Sequence, residues 1–88
     1  MPLDKIKSLL FDQLDVEKLD IIDESHRHQN HPQSNGGHFK VLIISKDFEG
    51  KTLVQRHKLV YSVLDTMIKK EIHALSISAR TPLEGINF

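Results

Sequence analysis

The run HFKVLIISK, residues 38–46, decides the fold. Val41 to Ile44 is an unbroken apolar and largely β-branched stretch, which reads as a strand buried on both faces at the centre of a sheet. A central strand needs a neighbour on each side. Upstream, Leu19, Ile21 and Ile22 in KLDIIDES read as a short strand with acidic edges. Downstream, IHALSIS at residues 72–78 alternates Ala74 against Leu75 and Ile77, and Thr81-Pro82 ends it. Two helices complete the pattern. Leu3, Ile6, Leu10 and Leu14 recur at helical spacing behind Pro2, whose missing N–H costs nothing in a first turn.

The second helix is expected across TLVQRHKLVYSVLDTMIKK, residues 52–70. Thr52 and Gln55 have capping-box spacing, and Lys69 and Lys70 fall at the negative end of a helix of about five turns. Its apolar stripe is expected at Leu53, His57, Val60, Leu64 and Met67, widened by Val54, Tyr61 and Ile68, with Arg56, Lys58, Asp65 and Lys69 facing water. His57 then packs in the helix–sheet interface. Because the long helix separates the second and third strands, those two can run parallel through a right-handed crossover, while the first two pair antiparallel. The expected fold is α+β, in the order αββαβ, with a three-stranded mixed sheet under helices.

Eighty-eight residues fit a single domain over 1–88. So short a chain buries only about 60–65% of its unfolded surface, which leaves little room for a deep active site. Twelve basic against twelve acidic residues point to no strongly polyanionic partner. The absence of cysteine removes disulfides, thiolate nucleophiles and any cluster site built from this chain's own thiolates. Asp4, Lys5 and Lys7 interrupt the apolar pattern of the N-terminus, and no run approaches the roughly eighteen apolar residues of a membrane span. A soluble, cytoplasmic chain without a signal peptide is expected.

Residues 24–39, ESHRHQNHPQSNGGHF, carry four histidines among asparagine, proline and glycine. The composition breaks helix and strand alike and reads as a loop. It is either a metal-binding loop or a polar one with adventitious metal affinity. His26 and His28 would point the same way in an extended chain, His31 follows three residues on, and His38 starts a strand and reads as structural. His73 stands at the mouth of the last strand.

FEGKTLVQRHKLVY, with ESHRH before it and IHALSISARTP after it, resembles the BolA family across nearly the whole chain. The Phe48-x-Gly50 turn, Arg56-His57 on the helix and His73-Ala74-Leu75 match that family in order and spacing, with Phe48, Gly50, Arg56 and His57 as structural signatures. The resemblance implies a class II KH-like fold and partnership with a monothiol glutaredoxin around a shared [2Fe–2S] cluster. It implies transcriptional regulation through DNA for some members. In the family the histidine of the His-Ala-Leu motif is a cluster ligand, which carries over to His73. The second ligand comes from the loop between the first two strands; Glu24-Ser25-x-x-His places it on His28, with His26 and His31 as alternatives. Imidazole is a neutral ligand and raises a cluster's potential, as Rieske centres illustrate. Glutaredoxin and its glutathione would supply the thiolates. The chain is then an adaptor, monomeric or paired with its partner.

The DNA alternative rests on a basic strip of Lys51, Arg56, Lys58, Lys69 and Lys70 along the second helix. The Gly-x-x-Gly loop by which KH domains clamp a backbone is missing from both SNGGH and DFEGKTL. Ser/His/Asp order, Walker loop, HExxH and Rossmann glycines are equally missing, so an enzyme is not expected.

Overall fold

The computed structural model describes residues 2–25 and 37–87. The elements follow the expected order: α1 (Pro2–Gln13), β1 (Val16–Asp23), β2 (Gly37–Ser45), α2 (Leu53–Val63) and β3 (Ile72–Arg80). The sheet order is β1-β2-β3, with β1 antiparallel and β3 parallel to the central strand.

The core lies on one face of that sheet. Phe39, Val41 and Ile43 of β2 are buried there against Ile6 and Leu10 of α1 and Val60, Val63, Leu64 and Met67 of the second helical segment. Each fully buried aliphatic of this set contributes about 1.5–3 kcal/mol. The other face is open, contrary to the reading of β2 as buried on both sides: Lys40 is exposed and Leu42 half-buried. Among the described residues of β2 on that face only Ile44 is buried. Gly85 approaches it so closely that a β-carbon at that position would collide with the Ile44 side chain.

The helix expected to run about five turns is an eleven-residue α2. Its capping box forms, with Gln55 N–H donating to Thr52 Oγ1 and Thr52 N–H to Gln55 Oε1. Past Leu64 the chain tightens into a 3-10 turn at Asp65–Met67. Lys69, at φ 68°, then reverses direction, its N–H reaching Ile72 O at 2.9 Å. Leu64, Met67 and Ile68 continue the apolar periodicity through this change, which is why the pattern alone overstates the helix. Lys69 and Lys70 therefore sit on a turn and not at a helix end.

The buried stripe of α2 is rotated from the expected one. Arg56, Val60, Val63, Leu64 and Met67 face inward, while Leu53, Val54 and His57 are exposed. His57 is not packed in the interface; its neighbour Arg56 is. The reason is an acid 28 residues away. Arg56 Nη1 donates to Glu84 Oε1 at 2.6 Å and to Ala79 O at 3.2 Å, and its Nε to Lys51 O at 3.0 Å. A guanidinium can be buried when paired and hydrogen-bonded in this way.

Candidate metal centre and basic surface

His73 is exposed at the start of β3. The β2–β3 ladder pairs Gly37 with Ile72 and then His38 with Ala74, a slip of one residue. Since side chains alternate between faces, such a slip moves the following residues to the other side. Ile72 accordingly lies in the core and Ala74 on the surface. His73 falls within the slip, and its ring comes to lie beside that of His38, with centroids 5.0 Å apart and planes inclined at 44°.

The histidine-bearing segment is rooted at the same place. Glu24 N–H donates to His38 O at 2.7 Å, His38 N–H to Ser25 Oγ at 3.0 Å, and Gly37 N–H to Glu71 O at 2.8 Å. Ser25 and Gly37, the last and first described residues on either side of it, are thus fixed beside the opening of β3. His26, His28 and His31 lie outside the described residues. Among the described residues no group of three histidine, aspartate or glutamate side chains could hold a metal ion. Two imidazoles without a thiolate suit a borderline transition metal whose other ligands come from elsewhere.

The sequence alone marks His38 as a structural strand residue, whereas its ring lies against that of His73. The signal for its position was nevertheless in the expected topology. Parallel strands begin at the same end of a sheet, so histidines starting β2 and β3 become neighbours.

The opposite end of β3 is a clamp. Glu84 Oε1 accepts from Thr81 N–H at 2.9 Å as well as from Arg56. The Arg56 guanidinium, followed by the Thr81 N–H, holds the Glu84 carboxyl well below the usual carboxylate range, at about 2. This takes Arg56 out of the expected basic strip, because its charge is buried and paired. Lys51 and Lys58 remain exposed and line one shallow concavity with Gly50, Gln55 and Leu59. Lys69 and Lys70 are exposed on the turn before β3. Phe48 is fully buried, and Gly50 takes a left-handed φ of 75°. His57 instead borders a surface groove with Leu53 and Ile77.

A sequence model of the BolA-like protein family matches residues 10–84. A BolA-like protein of Dictyostelium discoideum is 43% identical over 81 residues, covering 91% of this chain and 70% of that protein. SufE-like protein 1, chloroplastic/mitochondrial, of Arabidopsis thaliana is 39% identical over 87 residues, and the match covers 91% of this chain but 24% of that protein. The solved BolA domain of SufE1 from the same plant superposes with a TM-score of 0.82 at 41% identity, covering 92% of each chain. The Escherichia coli protein named DNA-binding transcriptional regulator BolA is 38% identical over 63 residues, 72% of this chain and 59% of that one. None of these names describes a reaction. No helix among the described residues is long and apolar enough to cross a membrane. With plastid and mitochondrial proteins among the relatives, the cytoplasmic location expected from the sequence does not follow from the likeness.

Proposed function

Because the chain belongs to the BolA family, we propose that it is a non-catalytic adaptor that docks on a monothiol glutaredoxin and helps to ligate a [2Fe–2S] cluster held between the two proteins. The observation that carries this reading is the exposure of His73 at the start of β3, beside both roots of the histidine-bearing segment. A ligand shared with a second protein has to be reachable from outside, and it gains precision from sitting on a rigid strand. His73 and His28 would hold the iron on this side, with His26 and His31 as the loop alternatives. The glutaredoxin and its glutathione would supply thiolates on the other. When bound, the cluster supplies a redox-active and transferable iron centre. The work of this chain is to offer neutral nitrogen donors, which lower the negative charge of the site.

Co-expression with a monothiol glutaredoxin tests the reading. A coloured complex containing about two irons per heterodimer, bleached by His73→Ala, is expected. A colourless complex, or one indifferent to His73, refutes it.

The DNA-binding reading is favoured by one observation, the name of the Escherichia coli relative. The burial of Arg56 weakens it here. If only Lys51 and Lys58 meet phosphates, affinity falls about tenfold between 50 and 200 mM salt through counterion release. Tight, salt-resistant, sequence-selective binding would make DNA the primary partner.

A further inference from the structure

We propose that His38 and His73 form a two-imidazole chelate for one late divalent transition-metal ion, of which zinc is the test case, in the chain by itself. With metal–nitrogen bonds of about 2.0–2.1 Å at a near-tetrahedral angle, two imidazoles on one zinc ion have ring centres about 5 Å apart. The His38 and His73 centres are 5.0 Å apart. Their inclination of 44° is neither the offset-parallel nor the edge-on arrangement that aromatic pairs prefer. The slip between Gly37 and His38 falls at the same place: His73 is the extra residue between the Ile72 and Ala74 pairings, and such irregularities re-aim side chains next to functional sites.

The setting suits an ion. Both residues sit at the start of a strand, so the pair is held by the backbone of the sheet. Each needs one ring nitrogen for the metal, leaving the other for a hydrogen bond, the usual arrangement of metal-bound histidine. His73 is exposed and followed by the small, exposed Ala74. The remaining positions of a tetrahedral ion are thus open to water or to groups from outside. Nitrogen donors select zinc, copper or nickel over magnesium and calcium, which take oxygen.

The site shares His73 with the adaptor proposed above but needs neither glutaredoxin nor iron. The isolated full chain is therefore titrated with Zn²⁺ and followed by imidazole proton–nitrogen NMR. The expected result is one ion per chain, with the His38 and His73 resonances shifted together. Binding should weaken at least about tenfold in His73→Ala and in His38→Ala. His38→Gln, which keeps a polar side chain of similar reach, stands in for the alanine variant if that does not fold. The triple variant His26→Ala, His28→Ala, His31→Ala is expected to bind as the parent does. Loss of zinc in the triple variant with retention in His38→Gln overturns the proposal. So does an identical response to Mg²⁺. Zinc chelation without a coloured glutaredoxin complex refutes the adaptor and leaves the chelate standing. A coloured complex with no response of His38 to zinc does the reverse.

Discussion

At the C-terminal end of β3, Ala79 and Thr81 are buried and the Ala79 carbonyl accepts from Arg56, whereas at the N-terminal end His73 and Ala74 are exposed and the ladder to β2 slips by one residue. One strand thus joins a fastened end to an open one. The fastened end ties α2, β3 and the turn at Glu84–Asn87 together through a single guanidinium. At the open end the irregular part of the ladder carries His73, whose ring lies beside that of His38. Substitutions at the first end should therefore register as stability, and at the second as binding.

The largest stability loss is expected for Arg56→Ala. It leaves Ala79 O without its donor, and a buried acceptor so orphaned costs about 1–3 kcal/mol. Arg56→Lys should recover only part of this, because one ammonium cannot reproduce the fork that meets Glu84, Ala79 and Lys51 together. Urea unfolding of both variants checks the order. A lysine variant as stable as the parent would show that charge, and not the fork, fastens this end.

Gly50→Ala comes next. A β-carbon there would meet nothing within 4 Å, so packing is not at issue. The φ of 75° is the whole obstacle, and alanine in that region loses about 1–2 kcal/mol. Because Gly50 precedes Lys51, whose carbonyl Arg56 holds, some of the loss should disappear when Gly50→Ala is combined with Arg56→Ala. Strict additivity in the double-mutant cycle would mean that the turn and the clamp are independent.

A smaller effect follows from acid. Glu84 is held at about 2 against an ordinary 4.5, so its contribution is fully present above about pH 4.5 and disappears as pH falls through about 2. Half of this side chain is exposed, and water screens the pair. Glu84→Gln should flatten the stability profile between those pH values and leave it unchanged in shape above them. A parent profile already flat in that window would remove Glu84 from the clamp.

How much of this was legible beforehand differs between the two ends for a physical reason. Local signals are legible: the apolar run marks β2 as a strand, though not how many of its faces are buried, and the Thr52/Gln55 box and the Pro82 stop act within a few residues of themselves. The mixed pairing also followed from element order. What escaped was set by partners distant in sequence. Nothing near Arg56 announces Glu84, so the sequence pattern phases the helix on Leu53 and His57, whereas the structure buries Arg56 and exposes both. The slip at Gly37/His38 is a property of two strands together and leaves no trace in either. The His73 motif was legible as a resemblance; its contact with His38 required the sheet.

The smallest stability effects are expected at His57 and His73, and there the comparison between the two ends is sharpest. His57 shares its helix with Arg56 and lies one residue away, yet it is exposed and borders only a surface groove. His57→Ala should stay within about 0.5 kcal/mol of the parent, as surface substitutions do. His73→Ala should be equally quiet in urea, since an exposed ring within a slipped ladder gives up little packing. The two variants must then separate in another measurement. With a monothiol glutaredoxin and iron, His57→Ala should give the parent's visible spectrum and His73→Ala should not. If His57→Ala destabilises the chain by as much as Arg56→Ala, the rotated phase of α2 is wrong. If His73→Ala is destabilising and spectroscopically silent, the open end of β3 is a packing feature, and the division between a fastening end and a binding end does not hold.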